Sequence, residues 1–377
     1  MSDYERQQLA AQSWNGFCER LKEAGAQLLR EDFPIGETDL AEGLRYLAHL
    51  LFASIQRNLD GADPAKPFLY LLCDERIKSG GDNPDNRYYV AAVSDAYEYL
   101  VTADFSGCSY YSIVALDRRE MTTGLTAEER AKRAAAARMD SDTLVCEHDG
   151  TVQVHLSKAK AGRNHIRIDE RTNLIIIRCT IEMPDQGPVA VSLRRIDSQG
   201  PGPALTLEVV AQRLRSAAEH VLQTSSFFGG WTANFQSHVN QLPLADQAYI
   251  HSTGGDPNIL YYLSAWAVRE GEALVIHLPE VPRCTAWNFQ LCNVWMESLD
   301  YTEARIHLNG MTARSDRDGG VTIIVSGEDP KHANWLNTMG HATGTMCMRF
   351  TGAARPAVPQ TSLTVIAAAR ELAGSLK

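Results

Sequence analysis

At 377 residues, with 44% hydrophobic and 22% charged side chains, the chain can bury two or three cores and is neither fibrous nor broadly disordered. Its 46 acidic and 36 basic residues leave a formal charge of −10, and the only basic run is Arg130 to Arg138, which argues against a nucleic-acid partner. No segment approaches the ~18 apolar residues of a membrane span. The N-terminus opens S-D-Y-E-R-Q-Q rather than with a basic and then apolar signal, so the expectation is a soluble, cytoplasmic protein.

Taken in order, residues 4 to 30 carry Trp14, Phe17, Leu21 and Leu28 at helical spacing, and residues 39 to 59 carry Leu40, Leu44, Leu47, Leu51 and Ile55. Thr38 serves as the expected N-cap of the second helix and Gly61 as its stop. This N-terminal helical segment, 1–65, is assigned no chemistry. A first β unit follows at 66–200, interrupted by an Ala-rich helix that a Thr126/Glu129 capping box opens and Met139 ends. A helical connector spans 201–250, with a helix over 206–224 and then the aromatic stretch Phe227 to Gln236. A second β unit fills 251–377.

The two β units read as copies. G-G-D-N-P-D-N-R-Y-Y from Gly80 matches G-G-D-P-N-I-L-Y-Y from Gly254, and C-S-Y-Y-S-I from Cys108 matches C-T-A-W-N-F from Cys284. H-D-G-T-V-Q-V-H-L-S ending at Ser157 matches R-D-G-G-V-T-I-I-V-S ending at Ser326; Asn164 lies against Asn334, and Arg178 against Arg349. The offsets stay between 169 and 176 residues, which argues for internal duplication. Alternating strands joined by Asp-Gly turns predict a mainly β protein with helices (α+β): two duplicated antiparallel β-sandwich or jelly-roll units. A guanidinium among apolar strand residues needs a partner. Asp82 and Asp256, at the starts of the copies, are the candidates.

The densest stretch is Cys284 to Tyr301, C-T-A-W-N-F-Q-L-C-N-V-W-M-E-S-L-D-Y. Its first half alternates: Thr285, Trp287, Phe289 and Leu291 fall on one side, Ala286, Asn288, Gln290 and Cys292 on the other. Its second half mixes aromatic surface with polar groups, as small-molecule pockets do. Glu297 and His341 are the candidate acid and base. Trp287, Asn293, Trp295, Asp300, Tyr301, Asn334, Trp335 and Arg349 are the candidate substrate-binding residues. A plainer reading stands beside this one, in which the tryptophans fill a sandwich core and the polar groups cap its strands.

The eight cysteines include no C-x-x-C pair and the eleven histidines show no metal-ligand spacing, so reduced thiols and no metal site are expected. Neither a nucleophile elbow nor a Walker or dinucleotide fingerprint occurs, so no cofactor is expected. These readings point to a cofactor-independent hydrolase, lyase or isomerase using acid–base chemistry on a largely apolar small molecule, aromatic or isoprenoid in type. The alternative is a non-catalytic small-molecule-binding or scaffold protein. Homo-oligomerisation stays open.

The run from G-G-D-P-N-I-L-Y-Y to M-C-M-R-F, with D-P-K-H-A-N-W-L-N-T-M-G-H-A-T-G (Asp329 to Gly344) at its centre, resembles family 1214 of the domains of unknown function. The resemblance is strong over the C-terminal part and weak over the first repeat. It implies sandwich or jelly-roll domains and no particular catalysis.

Overall fold

The N-terminal periodicities fold as α1 (Asp3–Gly25) and α2 (Glu37–Ile55). The computed structural model describes residues 1–117, 126, 137–183, 189–197, 200 and 204–372. A reciprocal cap starts α1: Ser2 Oγ accepts the Glu5 amide at 3.3 Å and Glu5 Oε2 accepts the Ser2 amide at 2.6 Å. α2 begins ahead of the expected cap Thr38, and Asp39 Oδ2 reaches back to the Gly36 amide at 2.8 Å. Its buried stripe is Asp39, Gly43, Tyr46, Leu50 and Ser54, while Leu40 and Leu44 are exposed. The expected Ala-rich helix lies mostly outside the described residues, and Met139, its expected last residue, belongs to a strand.

The chain divides into two compact units. One comprises Met1–Leu29, Leu47–Ile77 and Asn86–Phe227; the other comprises Arg30–Tyr46, Lys78–Asp85 and Phe228–Lys377. The first holds β1 (Tyr70–Leu71), β2 (Asn86–Ala92), β3 (Tyr99–Asp104), β4 (Tyr110–Leu116), β5 (Arg138–Asp140), β6 (Thr151–Ser157), β7 (His165–Arg167), β8 (Leu174–Thr180) and β9 (Ala190–Arg195). The second holds β10 (Ile259–Ala267), β11 (Glu272–Leu278), β12 (Ala286–Cys292), β13 (His307–Asn309), β14 (Val321–Ser326), β15 (Trp335–Asn337), β16 (Thr343–Thr351) and β17 (Gln360–Val365).

The sheets of the first unit run β1-β2-β8-β4-β5 and β7-β6-β3-β9, and those of the second run β10-β16-β12-β13 and β15-β14-β11-β17. Setting β2 against β10, β3 against β11, and so on to β9 against β17 turns one order into the other. The register repeats as well. Arg178 lies opposite Tyr88 and Ser112, and Arg349 opposite Tyr261 and Asn288. Asn164 Nδ2 donates to Val145 O and Gln153 O while its Oδ1 accepts the Val145 amide; Asn334 does the same for Arg314 O, Thr322 O and the Arg314 amide. Each asparagine replaces ladder bonds that an irregular backbone cannot make for itself. The strands are not all antiparallel as expected, because β6 with β7 and β14 with β15 run parallel.

In each unit the two sheets share one apolar core, as a sandwich does. Ala91, Ile113 and Ile177 meet Val101, Val154 and Leu156 in the first, and Phe289, Met348 and Phe350 meet Leu274, Ile276 and Ile323 in the second.

The connector helix α3 (Leu207–Phe235) runs past its expected end at Thr224, straight through the two glycines at 229 and 230. Glycine costs a helix roughly 1 kcal/mol. Trp231 offsets this by packing its edge on Phe228 and Phe235. At Gly229 a Cβ would sit 2.8 Å from Nη1 at the far end of the Arg30 side chain, which would have to shift to admit it. Two short helices complete the second unit, α4 (Gln247–Ser252) and α5 (Ile366–Glu371). Among the described residues no helix is long and apolar enough to cross a membrane.

Candidate functional site

The polar half of the aromatic stretch forms a tight loop at the end of β12. Cys292 and Ser298 bridge across it, the Asn293 amide donates to Glu297 O at 2.9 Å, and the Met296 amide donates to Asn293 O at 3.1 Å. Met296 has a φ of 59°, the left-handed region that a side chain with a Cβ rarely enters. The turn is held from outside by the Gly81 amide, which donates to Met296 O at 2.7 Å. Thr232 Oγ1, on α3, donates to Val294 O at 2.8 Å.

Asn293 organises the charges around this loop. Its Oδ1 accepts the amides of Trp295 and Glu297, both at 3.0 Å. Its Nδ2 donates to Glu42 Oε2 and to Glu297 Oε2, also at 3.0 Å. The amide is therefore saturated and its orientation fixed, because a flip would turn its oxygen onto two carboxylates. Glu42 Oε2 also lies 3.0 Å from His341 Nε2. The other ring nitrogen, Nδ1, lies 3.0 Å from Thr338 O; a carbonyl only accepts, so Nδ1 carries a proton. Left-handed backbone at Met339 (φ 54°) and Gly340 (φ 82°) turns the chain so that His341 reaches this position. Arg45 Nη2 stands 3.5 Å from Glu42 Oε1 and 3.9 Å from Glu297 Oε2, and its side chain is more than half exposed.

Burial dominates the electrostatics. It pushes the Glu297 carboxyl up to about 7; the Asn293 hydrogen bond and the Arg45 charge pull the other way, while Asp82 and Glu42 add to the rise. Burial also works against the charge on Glu42, but the His341 hydrogen bond and charge, with Asn293, leave that carboxyl below its ordinary value. Burial lowers His341, and its bond to Glu42 more than restores it, so the ring holds its proton above the usual range. The group thus combines a carboxylate held below its ordinary value, an imidazole that keeps its proton above the usual range and a carboxyl poised at about 7 to gain or lose a proton.

Asp39, Glu42 and His341 also bring their ligand atoms within 4.8 Å of one another. Two carboxylates and an imidazole are a donor set that could hold a divalent cation in competition with the His341 proton. The expectation of no metal-ligand spacing rested on the sequence, in which Glu42 and His341 stand 299 positions apart. Asp39, Glu42 and Arg45 all lie on α2, to which the sequence reading assigned no chemistry.

The other expected site residues separate. Trp287 points into the sandwich core and stacks on Phe350 at 6.2 Å. Trp335 sits on the opposite sheet with Nε1 on Ser326 O at 3.0 Å. Trp295 follows the strand end, packs on Phe33 and Tyr46, and donates Nε1–H to Asp39 O at 2.7 Å. Among the described residues no ring contact joins these three tryptophans, and each has different neighbours. Tyr301 lies under Lys78 at 4.5 Å, the exposed Asp300 caps Thr302, and Asn334 is the backbone clamp described above.

Arg349 belongs to a second buried polar layer, on the outer face of β12 and β16. Its Nη1 donates to Gln290 Oε1 at 2.6 Å and its Nη2 to Gly81 O. Beside it Asp82 accepts the Ser298 amide at 2.9 Å and the Ser298 hydroxyl at 2.7 Å. Burial pushes the Asp82 carboxyl up, against the charges of Lys78 and Arg349. Asp82 lies at the start of the first repeat in sequence, yet the arginine that acts on it is the one in the second.

Comparison with known proteins supplies relatives of unassigned function. Residues 268–355 match the family described as a protein of unknown function, DUF1214. A solved structure of an uncharacterized protein from Burkholderia cenocepacia superposes with a TM-score of 0.89 and 39% identity, covering 96% of this chain and 99% of that one. The solved VPA0106 protein of Vibrio parahaemolyticus gives a TM-score of 0.49 and 12% identity, over 85% of this chain and 99% of that one. No curated protein matches. The chain belongs to one family with the Burkholderia cenocepacia protein and carries the domain of unknown function DUF1214 in its C-terminal part.

Proposed function

We propose that this protein is an enzyme that transfers protons on a small-molecule substrate at Glu297, Asn293, Glu42 and His341, in a hydrolysis, elimination or isomerisation that needs no nucleotide cofactor. One observation carries the reading: a buried carboxyl poised at about 7 shares a single amide with a carboxylate–imidazole pair. A group titrating near the working pH is the efficient proton donor and acceptor, because both of its forms are populated. Glu297 is the group that gives or takes the proton. His341, whose bond to Glu42 favours its protonated form, brings positive charge toward negative charge developing on the substrate. Arg45, at the exposed side of the group, suits a substrate that carries a carbonyl or carboxylate. The eight cysteines stand outside any disulfide, which accords with a reducing, cytoplasmic setting as part of the same proposal.

The test is to incubate wild type, Glu297→Gln and His341→Ala with a metabolite mixture and follow its components by chromatographic retention and mass. The expected result is one component gaining water, losing water or isomerising with wild type, and persisting with folded Glu297→Gln. If wild type converts nothing, or Glu297→Gln converts as fast, the proposal falls and the non-catalytic binding or scaffold reading takes its place.

A further inference from the structure

A separate group of side chains lies on the outer face of the sheet β15-β14-β11-β17. Ile366 and Ala369 of α5 cover Ala273 and Ile324 there. A cleft of about 420 Å³ is lined by Val275, His277, Asp316, Thr322 and Leu372, together with Arg317 and Asp318. Asp316 is 4% exposed. Its Oδ2 accepts the Thr322 hydroxyl at 2.6 Å and lies 3.6 Å from His277 Nδ1. Thr322 spends its one proton on Asp316, so the 3.0 Å contact of its Oγ1 with His277 Nδ1 requires the proton on Nδ1. The second carboxylate oxygen, Oδ1, is buried with no hydrogen-bond partner. A buried acceptor of this kind is unfavourable without a donor.

The duplication supplies an internal control. In the first unit the same hairpin forms: the Glu147 amide donates to Thr151 O at 2.7 Å and the Gly150 amide to Glu147 O at 3.1 Å. In the second, the Asp316 amide donates to Gly320 O at 2.8 Å and the Gly319 amide to Asp316 O at 3.0 Å. By strand register Thr102 stands where His277 does and Gln153 where Thr322 does. Glu147, in the place of Asp316, is exposed. The hairpin therefore closes without a buried carboxylate, and the second unit carries one that its fold does not require.

We propose that this cleft binds a protonated primary amine, whose ammonium donates to Asp316 Oδ1 and whose aliphatic chain lies on Val275 and Leu372. An ammonium supplies the missing donor and a compensating charge together, which a neutral alcohol or an anion of the same shape cannot do. Titration calorimetry of the full chain with n-butylammonium, n-butanol and butyrate tests this. The ammonium should saturate one site, the other two should not bind, and Asp316→Asn should weaken the amine by about tenfold or more. Val275→Phe, which leaves the carboxylate in place and fills the apolar wall, should also weaken it, and Glu297→Gln should bind as wild type does. Absence of saturable amine binding, equal binding of butyrate, or full affinity in both folded cleft variants overturns the proposal. Loss of binding in Glu297→Gln alone would place the amine at the other site and overturn it too.

Discussion

Replacing Glu297 by Gln should make the fold less sensitive to alkali. Glu297 is 2% exposed, and burial raises its carboxyl from 4.5 to about 7. A raised value in the fold means a contribution to stability that is complete below 4.5 and lost as the pH climbs through about 7. Ionising this carboxyl in the fold rather than in the unfolded chain then costs about 3 kcal/mol. Glutamine keeps an oxygen for Asn293 and removes the titration. Urea unfolding of both proteins at about pH 5 and about pH 9 reads the effect, with wild type losing about 3 kcal/mol relative to the variant between them. His341 also loses its contribution as the pH rises, but it does so in both proteins and cancels. Parallel pH dependences, or a variant that loses more than wild type, would refute the assignment of a buried, proton-holding Glu297.

Four further substitutions test the surroundings. His341→Gln should cost about 1–2 kcal/mol, most between the ordinary values of Glu42 and His341, 4.5 and 6.5. The lowered Glu42 contribution fails as the pH falls and the raised His341 contribution fails as it rises, and urea midpoints across pH would show the peak. Asn334→Ala and Asn164→Ala each strip two carbonyls and an amide of the same partners, so their losses should match at about 2–4 kcal/mol by chemical denaturation; losses that differ by more than about 2 kcal/mol would break the equivalence of the repeats. Arg349→Met should cost about 3–5 kcal/mol because Gln290 and Gly81 lose their donor and Asp82 loses a neighbouring charge, which thermal unfolding would report.

Periodicity and repetition made the framework legible. Alternation in β12 correctly sorted Trp287, Phe289 and Leu291 inward from Asn288 and Gln290, since a strand turns successive side chains to opposite faces. Five short matches at steady offset located the repeats, down to the register of Arg178 and Arg349. Composition alone could not say whether aromatic residues share a face or a cavity. Trp287 sits within the strand and Trp295 beyond its end, and that places their rings in different surroundings. The stripe on α2 was read from its leucines, but Asp39, Gly43 and Tyr46 are buried, and the polar residues Asp39 and Glu42 face the loop after β12 and His341. A partner 299 positions away leaves no local signal. Only the proximity of Glu297 to Asn293, four positions apart on one loop, was readable directly.

The pH profile of the conversion found with the metabolite mixture tests the role of Glu297 most directly. If the neutral carboxyl donates the proton, kcat/KM of wild type should fall as the pH rises through about 7, where Glu297 ionises. Glu297→Gln should leave no activity to profile. A wild-type profile that is flat through neutrality, or a glutamine variant retaining wild-type kcat/KM, would contradict it.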